Sequence, residues 1–357
     1  MAVARRPTRT RLEVLLGALA FAASVPAGKL LLRGLAPLAL SGGLYLAAGA
    51  LCAALLALQS RRQRRERNRL QGREWWWLLL AIAFGGVLGP LALFHGLRLT
   101  SGHVAGLLLN FEAVFTVALG AVLSRERVGA RGAQGIGLVI GSAVLLAATG
   151  EPHASAATRP LGPLLIVAAC ACWGLDNNFT QHISLRDARQ IVALKGLIGG
   201  AASVSMAAAF GQLGGWSAGT IAAVVCVGAV SYGVSIVLFI RGLRALGVIH
   251  TGALFALAPG FAAVLSWLVL REPIHAGALL ALAGMTGGAL LLATDVHAHE
   301  HVHEALEHAH PHEHDAHHQH AHTPEQLDQA PHAHWHRHEP LVHRHEHSHD
   351  LHHRHRH

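Results

Sequence analysis

Gly96-Leu97-Arg98 recurs 146 residues later as Gly242-Leu243-Arg244, and Arg125-Glu126 recurs at the same offset as Arg271-Glu272. Each pair stands at the edge of a long apolar run. Two further matches keep the order: Gly137-xxx-Gly141 answers Gly284-xxx-Gly288 at nearly that offset, and Phe21-Ala22 lines up with Trp173-Gly174 after a short length difference. Four matches in one order define an internal duplication.

The apolar runs set what is duplicated. A bilayer's hydrocarbon core of about 30 Å needs roughly 20 helical residues. Ten runs qualify: 13–34, 37–59, 75–95, 101–123, 134–150, 161–181, 190–210, 218–240, 248–270 and 275–294. Five fall in each copy. An odd number of spans inserts the second copy upside down, the inverted-repeat plan that places a substrate site near mid-membrane between the halves. The expected fold is therefore an all-α membrane protein with ten transmembrane helices as two inverted five-helix repeats, 13–150 and 161–294. A basic segment, 1–12, precedes them, and a disordered tail, 295–357, follows.

Composition agrees. With 52% hydrophobic and 13% charged residues, the chain is too apolar for a soluble domain. Cys52, Cys170, Cys172 and Cys226 all lie inside apolar runs, which offers no disulfide framework and no zinc-type spacing. The first apolar run is too long for a cleaved leader and lacks a small-residue cleavage signature, so it is read as a retained helix.

Arginine sets the expected direction. Arg5, Arg6, Arg9 and Arg11 precede the first span, Arg61 to Arg73 follow the second, and Arg125 to Arg131 follow the fourth. The positive-inside rule puts these segments and both termini in the cytoplasm, in a bacterial-type inner membrane. Arg186, Arg189, Arg241 and Arg244 then also lie inside, against Arg33, Arg98, Arg159 and Arg271 outside. Trp75, Trp76 and Trp77 read as an interfacial anchor.

Several motifs resemble the drug/metabolite transporter superfamily, specifically its EamA-type permeases. They are Cys172-Trp173-Gly174, Pro26-Ala27-Gly28-Lys29, Arg125-Glu126 and Arg271-Glu272-Pro273. The resemblance covers about residues 13–294. It implies a ten-helix permease without naming a substrate, since family members carry amino acids, nucleotide sugars and other metabolites. Phe21-Ala22 departs from the Trp-Gly usual at that place. Leu109 to Thr116 and Trp173 to Asn178 resemble a subgroup with histidine-rich tails.

Ionisable side chains within spans are costly and are read as functional. Lys29, Glu112, Asp176 and Lys195 are such groups, and Asn110, Asn177 and Asn178 join them as candidate pathway residues. Asp176 and Lys195 come out at similar depth on consecutive spans, which suits an ion pair, structural or functional. Glu112 falls near mid-span, most of two turns from Lys29. Desolvation there favours the neutral acid, so Glu112 is read as a proton carrier, against the alternative that it only bonds a neighbouring helix. Helical spacing places Asn110 with His103 and Glu112 with Thr116, on different faces. Asp176 shares a face with Thr180, and Asn177 and Asn178 turn away from it. His103 and His250 are repeat mates at the starts of two spans, read as interfacial hydrogen-bonders. The Gly-xxx-Gly pairs allow close helix approach, either internally or in a homodimer.

Of thirty histidines, twenty-four lie between His297 and His357. His297, His299, His301, His303, His308, His310, His312, His314, His332, His334, His336, His338, His343, His345, His347 and His349 alternate with other residues, many acidic. Apolar residues are too sparse for a core, so disorder without metal is expected. Imidazoles at this density bind Zn, Ni, Co or Cu with little selectivity. A pH-sensitive solvated tail is the bland reading.

The leading function is a permease for a small organic metabolite, with no cofactor required. Alternatives are a transition-metal transporter whose tail captures its ion, and a membrane-anchored metal buffer. No P-loop, nucleophile–base pair or cofactor motif suggests an ATPase or other enzyme, and the basic balance is topological rather than a nucleic-acid signal.

Overall fold

The computed structural model describes residues 7–58, 70, 72–123, 128–149, 160–183 and 186–294, together with four tail strands. Arg61 to Arg69, Arg125, Glu126, Arg127 and Arg159 lie outside the described residues, as do His314 and His349. For the other proposed tail ligands the description covers backbone only.

Among the described residues, nine helices are long and apolar enough to cross a membrane. They are α1 Thr8–Leu31, α2 Pro37–Ala57, α3 Glu74–Leu99, α4 Gly102–Leu123 and α5 Ala130–Thr149, then α7 Ala188–Ala209, α8 Ala218–Gly242, α9 His250–Leu270 and α10 Ala276–Ala293. The tenth, α6 Leu161–Gln181, has 21 residues. Its run Asp176-Asn177-Asn178 makes it less apolar than the other nine. A Cβ on Gly242 would lie 2.9 Å from the Thr251 side chain, so the chain folds back between α8 and α9.

The helices pack with the symmetry of the repeat. α6 lies against α3 and α4, as α1 lies against α8 and α9; α2 pairs with α7, and α5 with α10. Exchanging the halves leaves these pairings unchanged, so the chain is two inverted five-helix units. Backbone proximity holds the central pair together. A Cβ on Gly49 would sit 2.6 Å from Leu197 N, and one on Gly196 would sit 2.6 Å from Tyr45 O. Small residues permit this approach where lipid offers no hydrophobic drive between helices.

The α5–α10 seam corrects one sequence match. Gly284 and Gly288 face α5, but the glycine that meets Gly288 is Gly135, whose Cβ would lie 2.7 Å from Gly288 O. Gly137 and Gly141 have open space beside them. The pattern matched in spacing while the packed face is one helical register away.

Four irregularities also obey the repeat. α3 is π-helical over Ile82–Leu88 and α8 over Gly228–Val234, each end displaced by the same 146 residues. Pro90 follows the first bulge, but its counterpart Ile236 follows the second, so proline does not cause them. α4 breaks between Gly102–Leu108 and Phe111–Leu123, and α9 breaks before Ala258–Leu270. At the α9 break Pro259 removes a backbone donor. At the α4 break the Asn110 amide donates to Leu107 O at 2.9 Å, and the Cys170 thiol donates to Leu108 O at 3.5 Å. Interrupted helices at corresponding places in inverted halves mark where transporters build their sites, and π-bulges recur at functional positions.

The tail residues Val296–Ser348 form a separate unit. Strand β1, His297–His303, pairs antiparallel with β4, Leu341–His347; β2, Leu306–His312, pairs antiparallel with β3, His332–His338. The period-two His-x-His pattern suits a strand. Each sheet has two strands, an arrangement marginal in water.

Candidate functional site

Asp176, Asn177 and Asn178 are consecutive, so on a helix of 3.6 residues per turn they fan out by about 100° each. α6 uses that fan to reach two neighbouring helices, α7 and α4. Lys195 Nζ on α7 donates to both Asp176 carboxylate oxygens, at 2.6 and 2.5 Å, and Thr180 Oγ1 donates to Asp176 Oδ1 at 3.0 Å. Asn177 Nδ2 donates to Glu112 Oε1 at 3.1 Å and to Thr116 Oγ1 at 3.0 Å, both on α4. Asn178 Nδ2 donates to Thr116 O at 3.1 Å and to Gly174 O at 2.8 Å.

The π-bulge of α3 completes this cluster. A Cβ on Gly85 would overlap Asp176 Oδ2, so only glycine lets the carboxylate lie on the α3 backbone. The Gly85 carbonyl accepts from Tyr45 Oη at 2.8 Å and from Trp173 Nε1 at 3.3 Å. The wide turn has left that carbonyl for side chains of α2 and α6. Glu112 opens the second segment of α4, Phe111–Leu123.

The symmetry-equivalent arrangement, built from α1 with α8 and α9, presents aromatic residues. Tyr232, inside the α8 bulge, lies 5.7 Å from the Tyr45 ring and 5.8 Å, edge-on, from Phe21. Ser24 occupies the repeat position of Asp176. Phe21, at the repeat position of Trp173, also packs against Phe255 at 5.8 Å. Thus one of the two equivalent arrangements offers charge and amides, the other rings and hydroxyls.

Two candidate residues stand apart. Lys29 Nζ donates to Leu97 O at 2.6 Å and Thr100 O at 2.5 Å, at the C-terminal end of α3, where a cation complements the helix dipole. Asn110 is buried and turned back on its own helix. The cluster that the structure brings together is Glu112, Asp176, Asn177, Asn178 and Lys195, with Thr116, Tyr45, Trp173 and Gly85 added. Trp173 was legible as a motif residue. Tyr45 and Gly85 carried no local signal.

Glu272, half of the repeated Arg-Glu pair, has a defined task. Its carboxylate accepts from Gly102 N at 2.6 Å, His103 N at 2.9 Å and His103 Nδ1 at 2.7 Å, tying the loop after α9 to the start of α4. Burial pushes this carboxyl up, but the hydrogen bonds from His103 and the two amides outweigh it and hold the group below its usual value. His103 also packs on Trp267, with ring centroids 5.5 Å apart. At the start of α3, Glu74 accepts a bidentate pair from Arg186 at 2.7 and 2.8 Å. Among the described residues of the membrane body, 7–294, no group of three His, Cys, Asp or Glu is placed to hold a metal ion.

Two inverted, interrupted five-helix units that meet at a polar cluster, buried at Asp176 and Asn178 and exposed at Asn177, define a multi-pass membrane protein. The EamA-like transporter family model matches the chain twice, over residues 11–148 and 160–294, and the chain belongs to that family. A protein of Methanothermobacter thermautotrophicus, named "Uncharacterized transporter", is 30% identical over 207 residues. The match spans 57% of this chain and 60% of that relative's length. A solved crystal structure of a protein has the same fold, with a TM-score of 0.57 at 20% identity, covering 80% of this chain and 96% of the other.

Proposed function

We propose that the protein moves a small organic metabolite across a bacterial-type inner membrane by alternating access, coupled to a proton carried by Glu112. The observation that carries this reading is the convergence of the α3 bulge and the α4, α6 and α7 polar residues on one cluster, which Tyr45 joins to the α8 bulge through its ring contact with Tyr232. Glu112 and the facing amides would hold the substrate or the proton. The Asp176–Lys195 pair, neutral overall, would hold α6 and α7 in register while the halves rock. The orientation proposed is both termini in the cytoplasm, from the arginine asymmetry of the loops. The tail is proposed to bind divalent transition metals as an accessory element.

Liposome uptake tests the division between body and tail. A chain stopped after Thr294 is expected to insert and move its substrate, with only its response to added metal changed. Loss of organic-substrate uptake on truncation, with metal uptake confined to the intact chain, would favour a metal transporter instead.

A further inference from the structure

The tail ladders carry a register that composition alone does not disclose. In the first, His297, His299 and His301 stand opposite His347, His345 and His343. In the second, His308, His310 and His312 stand opposite His336, His334 and His332. Strand residues alternate between faces, so each ladder gathers its histidines on one face.

The non-histidine positions agree with the same register. Glu300 stands opposite Arg344, and Glu307 opposite Arg337; Val302 meets Val342, and Ala309 meets Trp335. Opposite charges and matched apolar residues are the pairs that stabilise antiparallel neighbours. A slip by one residue would set every histidine against a different residue type, and a slip by two would separate both Glu–Arg pairs. Moreover, both ladders follow one continuous count: stepping forward from His297 and backward from His347 reaches Leu306 and His338, which are also partners.

A two-stranded ribbon is marginal in water, so this register needs an ordering agent. We propose that a divalent transition metal, bound by cross-strand histidine quartets such as His299, His301, His343 and His345, zips the tail into an antiparallel ribbon. Directly opposite residues lie about 5 Å apart and same-face neighbours on one strand about 7 Å apart. Four imidazoles at those spacings can converge on one tetrahedral ion such as Zn²⁺. Seven histidines per ladder supply about one or two such sites each. Binding and ordering are then one event, as in small metal-folded domains. The inference rests on the metal-binding tail of the preceding reading, and adds to it a defined fold.

The test uses the full-length protein in detergent, with Cys172 and Cys226 replaced by serine and nitroxide pairs attached on the non-histidine face. The matched pairs are Ala298→Cys with Glu346→Cys and Val302→Cys with Val342→Cys. The crossed pairs are 298 with 342 and 302 with 346, which the register sets about 13 Å further apart along the strand. Zn²⁺ is expected to bring matched pairs into strong dipolar broadening while crossed pairs stay resolved at longer distance, and EDTA should reverse both. Replacing His297, His299, His301 and His303 by Gln should remove at least one bound ion and abolish the matched-pair approach in that ladder. Zinc binding with no difference between matched and crossed pairs would overturn the ribbon and leave an unstructured chelator. Matched approach in EDTA would overturn the role of metal. No zinc binding at all would remove the metal-binding tail as well.

Discussion

Asn177 Nδ2 lies 3.1 Å from Glu112 Oε1, joining the residue after one buried ion-pair member to a carboxylate on a different helix. Asp176 is meanwhile held by Lys195 and rests on Gly85. The two carboxylates thus belong to adjoining arrangements: one is compensated by a fixed cation, the other is met by an amide. The proposed function takes the first charge as structural and the second as available for transport, and the predictions below test that separation.

Removing one member of the Asp176–Lys195 pair should destabilise the fold strongly, since it leaves a charge without its partner in a dry environment. Asp176→Asn and Lys195→Met should each cost about 3–5 kcal/mol, and the double variant should cost less than their sum. Thermal unfolding in one detergent, run as a double-mutant cycle, measures the coupling. Strict additivity would show that the pair is solvated in the working protein.

Gly85→Ala should act on the same pair without altering a charge. The added methyl would occupy the space of Asp176 Oδ2, so the carboxylate must shift away from the α3 bulge. A lowered melting temperature and reduced uptake are expected together. Gly137→Ala and Gly141→Ala, beside open space, should be neutral or mildly stabilising, whereas Gly288→Ala should cost about 1–3 kcal/mol from overpacking against Gly135 and Val139.

The contrast between these glycines shows what the sequence can and cannot disclose. The ten spans were legible because hydrophobic length is a direct consequence of bilayer thickness, and their ends agree with the helices within a few residues. Repetition was legible from Gly-Leu-Arg and Arg-Glu. The face of α5 that meets α10 was not, since Gly135 and Gly137 are equally good spacers in a string of letters. The bulges were equally hidden. A π-turn depends on which carbonyl each amide selects, and no residue type enforces that at both Ile82–Leu88 and Gly228–Val234. Asp176, Lys195, Glu112 and the two asparagines were singled out because polar groups are rare in such spans, and equal depth already suggested the Asp176–Lys195 pair; the bond from Asn177 to Glu112 needed the fan of α6. Lys29 was singled out for the same reason, but its bonds to the Leu97 and Thr100 carbonyls were not legible, since sequence patterns do not show backbone targets.

Glu272 gives a pH dependence with a definite sign. Its folded-state value is held low by His103 and two amides, although burial alone would raise it. Its stabilising contribution is therefore complete above the ordinary carboxylate value near about 4.3 and is lost as pH falls through the lower folded value. The melting temperature of the wild type should exceed that of Glu272→Gln by a constant margin from pH 6 to 8, an experimental range on the order of two units. The margin should shrink only in strong acid. A margin that grew on acidification would mean that the neutral acid is the bound form.

Glu112→Gln keeps the shape of the cluster and removes the titrating group, so it tests the central claim most directly. Proteoliposomes loaded with a pH-sensitive dye, holding wild type or variant, would be exposed to pools of amino acids, organic amines and nucleosides. At least one pool should shift the internal pH with the wild type. Glu112→Gln should abolish that shift while still being stabilised against heat by the same pool. An unchanged pH response in Glu112→Gln would contradict the account and remove Glu112 as the proton carrier.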